Sequence, residues 1–259
     1  MIGTALFSWK HHSQTLGLSH AWLWTGAVCY AQRAGMRCVL VADDQGADYL
    51  AGRLGLPFAE VLTLPTLPDE LTHVRDLTKL SALKMLADRG EAAIHIDYDA
   101  FIRKPLPDSI LTAPFAGEFF YPAKAFIGYV NETLRHKRLD IITQGIGGGI
   151  MGGTALERII EVCEDSIRIG CHPENRQAFV DANGYQASVL LGEASFASAF
   201  PDAVELLKCG NSNAEEYRRL GYVHLASLKE DRGAMAQAAE LVRLDFPTEY
   251  MTTFLRWDA

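Results

Sequence analysis

The first hundred residues alternate short apolar runs with segments of helical periodicity, and this alternation restricts the fold more than any other feature of the chain. The apolar runs lie at residues 5–7, 38–41, 61–62 and 92–96, and helical patterns, one of them at 49–54, separate them. Such alternation is typical of a mainly parallel sheet covered by helices. Further along, the sequence predicts a strand at 115–121 and a helix at 125–138. Because 259 residues can bury a full core as one unit, the sequence predicts a single α/β domain over residues 1–259.

Charge and composition exclude several classes of partner. The net charge of -8 opposes binding to nucleic acid, which requires clustered Lys and Arg for counterion release. No apolar run approaches the roughly 20 residues that cross a bilayer, and the N-terminus lacks the charged front of a signal peptide. We therefore expect a cytoplasmic protein with no transmembrane segment. The five cysteines include no Cys-x-x-Cys pair, so we expect reduced packing residues.

The apolar run at 92–96 leads directly into two carboxylates, Asp97 and Asp99. Side chains two residues apart in an extended chain project on the same side, so both carboxylates can reach one hard cation. In open α/β sheets the functional crevice lies beyond the carboxyl ends of the strands. Mg²⁺ and Mn²⁺ favour oxygen ligands and complete their shells with substrate phosphates. The pair suggests a diphosphate held through a metal, whereas the purely structural alternative is an acidic turn after a strand.

Residues 94–106 read Ile-His-Ile-Asp-Tyr-Asp-Ala-Phe-Ile-Arg-Lys-Pro-Leu. This stretch resembles the glycosyltransferases of the GT-A fold, particularly retaining families in which an apolar strand runs into Asp-x-Asp and a Lys-Pro-Leu-like turn. The resemblance implies a mixed, mainly parallel sheet and transfer of a sugar from a nucleotide-diphosphate donor, with a UDP-sugar favoured, to a carbohydrate or other hydroxyl acceptor. It also implies a nucleotide-binding half over residues 1–110 and an acceptor-side half with C-terminal helices over 111–259.

The same resemblance implies a metal site and diphosphate contacts at named positions. His224 matches the late metal-binding histidine that would complete a Mn²⁺ or Mg²⁺ site with Asp97 and Asp99. Lys84 and Lys229 match residues that contact the diphosphate. Imidazole suits Mn²⁺ better than the harder Mg²⁺, and two Asp with one His leave positions for phosphate oxygens. From the residues alone, a partly buried histidine with one hydrogen bond explains His224 equally well.

Further candidates lie on the donor and acceptor sides. Trp9 ends the first predicted strand, where it can stack on a nucleobase or pack in the core. Tyr98, between the two carboxylates, is a second candidate for donor binding. The resemblance implies Gln186 as a catalytic candidate near the reacting face if stereochemistry is retained. The glycine-rich run at 147–153 matches the acceptor-side segment, where glycine allows close approach of a sugar or backbone, or simply forms a tight turn.

The helix predicted at 76–88 allows a geometric test of its lysines. At about 100° per residue, Lys84 falls between Leu77 and Leu80, inside the apolar arc, whereas Lys79 falls at the edge of that arc. A lysine on an apolar face either extends outward or meets an anion. We therefore expect Lys84 to be the inward lysine and Lys79 to be a solvated surface charge.

Two other functions remain open from the sequence. A glycosyltransferase-like protein that binds nucleotide or carbohydrate without turnover is one, because Tyr185 stands where the family often has an acidic residue and the glycine-rich run lacks the family's Asn. An Asp-x-Asp phosphatase is the other. Phosphatases of that class usually carry the motif on the first strand with Thr or Val shortly after it, whereas here about three predicted strands come first and Ala100 follows.

Overall fold

The fold is taken from a computed structural model that describes residues 1–9, 17–67, 75–122, 144–173, 189–207, 221–225 and 231–257. Within these ranges the strands are β1 (Thr4–Trp9), β2 (Arg37–Ala42), β3 (Glu60–Thr63), β4 (Ala93–Ile96), β5 (Ala100–Ile102), β6 (Ala116–Gly117), β7 (Phe120–Pro122), β8 (Gln144–Ile146), β9 (Ile150–Gly153), β10 (Val204–Glu205) and β11 (Tyr222–His224). The helices are α1 (Leu18–Arg33), α2 (Asp44–Ala47), α3 (Arg75–Asp88), α4 (Asp108–Leu111), α5 (Leu156–Cys171), α6 (Ala194–Ala199), α7 (Arg232–Asp245) and α8 (Pro247–Trp257).

Seven of these strands form one central sheet in the order β10–β6–β9–β4–β1–β2–β3. Neighbouring strands run parallel, except that β9 runs antiparallel to both β4 and β6. Two short antiparallel pairs, β5 with β11 and β7 with β8, complete the described strands. The predicted α/β class with a mixed, mainly parallel sheet is confirmed.

Helices cover both faces of the sheet, and each face has its own apolar core. Along β1, Phe7 packs into the core that contains residues of α1 and α7, whereas Leu6 points into the core beneath α3, α5 and α6. Both side chains are fully buried. Burial of alternate residues on opposite faces explains why the strands read as continuous apolar runs instead of alternating with polar residues.

Most predicted elements of the first hundred residues occur close to their expected positions. The helix expected at 49–54 is instead the short helix α2 followed by a π-helical turn, Asp48–Arg53. The strand expected at 115–121 is divided into β6 and β7. The helix expected at 125–138 lies outside the described residues. None of the described helices combines the length and apolarity needed to span a membrane.

Candidate metal centre

Asp97 and Asp99 lie in a tight turn between β4 and β5, at the carboxyl end of a central strand. The Asp97 amide donates to the carbonyl of Gly149 at 3.0 Å, and the Asp97 carbonyl accepts from the Ala100 amide at 2.9 Å. The Asp99 carbonyl accepts from the Leu225 amide at 3.1 Å. The Asp99 side chain is fully buried, whereas that of Asp97 is 18% exposed. Backbone contacts from distant parts of the chain therefore fix the positions of both residues.

His224 reaches the same place from β11. This strand pairs antiparallel with β5, and the register sets His224 opposite Ala100. Nε2 of His224 lies 3.8 Å from Oδ1 of Asp99 and 4.0 Å from Oδ2 of Asp97. One ligand atom from each of the three side chains lies within 4.8 Å of the others. The structure thus brings the three predicted metal ligands together.

These donors fit a divalent cation. Two ligand atoms of one octahedral ion with bonds of about 2.1 Å lie no more than about 4.2 Å apart. The distances from Nε2 of His224 to the two aspartates lie within this limit, and the three donor atoms as a set lie within 4.8 Å of one another, so the side chains would draw closer together around one ion. Two carboxylates and one imidazole also form a donor set that suits Mn²⁺ and is acceptable to Mg²⁺.

Glu118, which follows β6, lies behind the imidazole. Both of its carboxylate oxygens lie 3.0 Å from Nδ1 of His224, and its side chain is only 3% exposed. Burial alone would lower the pKa of His224, but the hydrogen bond and charge of Glu118, together with Asp99 and Asp97, raise that pKa to about 9. Sequence reasoning missed Glu118. Its signal was a single carboxylate inside the apolar, strand-like stretch 115–121.

Lys79 is the lysine of α3 that reaches the centre. Its Nζ lies 2.8 Å from Oδ1 of Asp97 and 3.6 Å from Oδ1 of Asp76, and its side chain is 14% exposed. Burial alone would lower the pKa of Lys79, but Asp97 and Asp76 raise it well above its usual range. The expectation of a solvated surface charge is therefore wrong. Because α3 packs against both α5 and the sheet, the edge of its apolar arc meets the end of β4 instead of solvent.

Lys84 lies elsewhere on α3. Its Nζ is 2.7 Å from Oδ2 of Asp88 and 3.1 Å from Oε1 of Glu164 on α5. The expectation that Lys84 points into the site as a diphosphate contact is wrong. The physical reason is that the inward arc of α3 at this level faces a second helix, where the lysine extends its stem and pairs with partly exposed carboxylates.

The glycine-rich run makes room for the polar side chains of the centre. A Cβ atom at Gly149 would lie 2.5 Å from Nδ1 of His224 and 2.7 Å from Oε2 of Glu118. A Cβ atom at Gly148 would lie 2.9 Å from Oε1 of Glu193. Any side chain at these positions would displace a charged group, so the requirement for glycine is steric.

Glu193 is a second carboxylate that sequence reasoning missed. It ends the π-helical turn Val189–Glu193, where Oε1 accepts from the Gly148 amide at 3.0 Å and Oε2 accepts from the Tyr121 hydroxyl. Burial and the charge of Asp76 raise the pKa of Glu193 to about 7. Its only sequence signal was an acidic residue after Leu-Leu-Gly, a pattern too common to single it out.

The ionisable groups described around the centre carry an excess of negative charge. Five carboxylates accompany one ammonium and one imidazole, namely Asp76, Asp97, Asp99, Glu118, Glu193, Lys79 and His224. Partly buried anions are costly unless they are paired or coordinate a metal. The imbalance therefore favours a divalent cation.

His95 lies directly beneath the centre, in the strand that leads to Asp97. Its Nε2 is 2.8 Å from Oγ of Ser8, and its Nδ1 is 3.7 Å from Oδ1 of Asp97. Burial and the charge of Lys79 lower the pKa of His95 to about 3. This histidine is thus neutral at ordinary pH and contributes no charge to the centre.

Two predicted donor-binding residues share an aromatic cluster at the end of β1. Trp9 packs edge-on against Trp24 with ring centroids 5.7 Å apart, and Tyr98 stacks on Trp24 at 5.3 Å. Both Trp9 and Tyr98 are half-buried. The other two predicted site residues, Gln186 and Lys229, lie outside the described residues.

Together, fold and site define an α/β protein with a carboxylate–histidine cluster suited to a divalent cation at the carboxyl end of a central strand. Comparison of the sequence with models of known protein families gives no match, and comparison with curated proteins gives no significant relative.

Proposed function

We propose that this protein is a metal-dependent glycosyltransferase that moves a sugar from a nucleotide-diphosphate donor, with a UDP-sugar favoured, to a hydroxyl acceptor. The observation that carries the proposal is the cluster of Asp97, Asp99 and His224. The cluster lies beyond the carboxyl end of β4, where open α/β sheets bind their ligands. The type of reaction, sugar transfer, is inferred from the resemblance of residues 94–106 to Asp-x-Asp glycosyltransferases.

In this proposal Asp97, Asp99 and Nε2 of His224 hold Mn²⁺ or Mg²⁺. The bound cation would supply Lewis-acid stabilisation of the negative charge that develops on the leaving diphosphate. Backbone hydrogen bonds fix the turn that carries both aspartates, and Lys79 orients the carboxylate of Asp97, which contributes to the preorganisation that electrostatic catalysis requires.

Lys79 takes a different role from the one expected for a lysine on this helix. Its ammonium is already held between Asp97 and Asp76. We assign Lys79 to orienting Asp97 and balancing the buried carboxylates, and we leave the diphosphate contact with Lys229, as the resemblance implies. Gln186 stays the candidate near the reacting face on the same ground.

Calorimetry with UDP in the presence and absence of Mn²⁺ tests the proposal, followed by a hydrolysis and transfer screen over several nucleotide sugars. We expect UDP to bind only with Mn²⁺, and binding to be lost in the double variant Asp97→Asn plus Asp99→Asn. Lys84→Met is the matched control, because Lys84 pairs with Asp88 and Glu164 and should leave binding unchanged.

Two outcomes would count against the proposal in different ways. UDP binding that does not depend on Mn²⁺ and survives the double substitution would remove the metal bridge. Metal-dependent UDP binding with no hydrolysis or transfer of any donor would instead favour a catalytically silent nucleotide-binding protein on the same fold.

A further inference from the structure

We infer that Glu118 is the positioning residue of the metal centre, holding the imidazole of His224 by Nδ1 so that Nε2 faces Asp97 and Asp99. The inference rests on the metal site of the proposed function. It goes beyond that function because it assigns a role to a residue outside the Asp-x-Asp motif and outside the predicted ligand set.

The two nitrogens of His224 have distinct partners. Nδ1 lies 3.0 Å from each carboxylate oxygen of Glu118, whereas Nε2 lies 3.8 Å and 4.0 Å from oxygens of Asp99 and Asp97. A proton held on Nδ1 by a carboxylate leaves the lone pair on Nε2 when the other proton is lost. Glu118 therefore selects the tautomer whose free lone pair faces the two aspartates.

The backbone of Glu118 is anchored on both sides. Its amide donates to the carbonyl of Gly147 at 3.1 Å, and its carbonyl accepts from the Leu207 amide at 2.8 Å. Glu118 also directly follows β6, a strand of the central sheet. The carboxylate is thus fixed by the sheet, which gives the imidazole a defined direction.

The contact between Glu118 and His224 is closely packed and buried. A Cβ atom at Gly149 would approach both Nδ1 of His224 and Oε2 of Glu118 to less than 3 Å. A carboxylate that is 3% exposed is costly to bury unless it is paired. His224 is the partner of both oxygens, so the pairing accounts for a buried charge that the predicted ligand set does not explain.

Two substitutions separate the position of the carboxylate from its charge. Glu118→Gln removes the charge but keeps an oxygen within reach of Nδ1, whereas Glu118→Asp keeps the charge but withdraws it by one methylene. Outer-shell partners of a ligating histidine typically contribute about 10–100-fold to metal affinity. We expect Glu118→Asp to bind Mn²⁺ about tenfold or more weakly than wild type, and Glu118→Gln to retain most of the affinity.

The measurement is titration of each full-length protein with Mn²⁺, following the electron paramagnetic resonance signal of the free ion. Glu118→Leu is a third variant, with similar size and no acceptor, and should resemble Glu118→Asp. Glu205→Gln is the matched control, because Glu205 on β10 accepts from the Phe120 amide and does not contact His224. Thermal unfolding in EDTA checks that each variant is folded.

The order of affinities decides the inference. Weaker Mn²⁺ binding in Glu118→Asp than in Glu118→Gln supports the positioning role. This comparison is sufficient even if Glu118→Leu fails to fold. Equal affinity in Glu118→Asp and wild type, with loss in Glu118→Gln, would show that charge alone matters and would overturn the inference.

Asp97→Asn separates this inference from the proposed function. If wild type binds Mn²⁺ and Asp97→Asn does not, but the Glu118 variants bind like wild type, the metal centre stands and the role of Glu118 is refuted. If wild type fails to bind Mn²⁺, the metal centre and the inference fall together. If Glu118→Asp binds Mn²⁺ more weakly than Glu118→Gln but no sugar transfer is found, the role of Glu118 is supported and only the proposed transferase activity is refuted.

Discussion

The ammonium nitrogen of Lys79 lies 2.8 Å from Oδ1 of Asp97, so one carboxylate serves both as a candidate metal ligand and as the partner of a buried cation. Asp76 contacts the same ammonium from the preceding turn of α3. The helix before the Asp-x-Asp turn is thereby tied to that turn through a charge pair. This relationship links the stability of the fold to the charge balance of the site.

Replacing Lys79 should destabilise the protein much more than replacing Lys84. Lys79→Met leaves Asp97 and Asp76 without their shared cation, and loss of one partner from a buried ion pair costs about 3–5 kcal/mol. Lys84→Met, on the same helix, removes a partly exposed pair worth about 1 kcal/mol or less. Urea unfolding at pH 7 in EDTA measures both. Equal losses of unfolding free energy would contradict the placement of Lys79.

The unfolding free energy of the metal-free protein should fall as the pH rises from about 6.5 to about 9. The folded pKa of His224 is raised to about 9, so the folded state holds a proton that the unfolded state releases near the ordinary histidine pKa of 6.5. The stabilisation is complete below the unfolded pKa and is lost as the pH rises through the folded one.

Urea unfolding of wild type and His224→Gln across this range checks the prediction. The change in the pKa of His224 corresponds to about 3 kcal/mol of unfolding free energy. The decline between these pH values should be shallower in His224→Gln. Parallel pH profiles for the two proteins would show that His224 is not charged in the folded state.

Glu193 should produce a second pH dependence at lower pH. Its folded pKa is raised from 4.5 to about 7, so the folded state holds a proton between these values that the unfolded state has lost. Stability should therefore decrease as the pH rises from 4.5 to 7. Glu193→Gln keeps an acceptor for the Gly148 amide and should flatten this part of the profile. A steeper decline in the variant would contradict the assignment.

Gly149→Ala should disrupt the centre although it adds only a methyl group. The new Cβ would lie 2.5 Å from Nδ1 of His224, so either His224 or Glu118 must move. We expect a loss of about 1–3 kcal/mol in unfolding free energy, as is usual for overpacking, together with weaker Mn²⁺ binding. Gly3→Ala is the control, because a Cβ at Gly3 meets no atom within 4 Å. Equal Mn²⁺ affinity in Gly149→Ala and Gly3→Ala would argue against the contact of Glu118 and His224 packed against Gly149.

The sequence predicted the sheet and the Asp-x-Asp turn because both depend on local patterns. Buried parallel strands require apolar runs, and β4 ends where its run of apolar residues meets Asp97. His224 came from resemblance alone, since nothing local to β11 distinguishes a ligand from a packed histidine. The structure adds the distances that bring it to the aspartates.

The errors and omissions concern contacts between distant segments. Helical periodicity gave the apolar arc of α3, but it does not say which neighbour lies against each part of that arc. The periodicity therefore predicted the wrong surroundings for both lysines. Lys79, at the edge of the arc, meets the end of β4, whereas Lys84, inside the arc, lies against α5. Glu118 was missed because its partner is 106 residues away, a separation that no local pattern encodes.

Anomalous diffraction at the manganese edge, from crystals grown with Mn²⁺ and UDP, tests the central claim most directly. The account predicts a single strong peak within coordination distance of Asp97, Asp99 and Nε2 of His224, with the diphosphate on its open side. A structure with UDP bound, no peak between these three residues and the Lys79–Asp97 pair as the sole occupant of that place would contradict it.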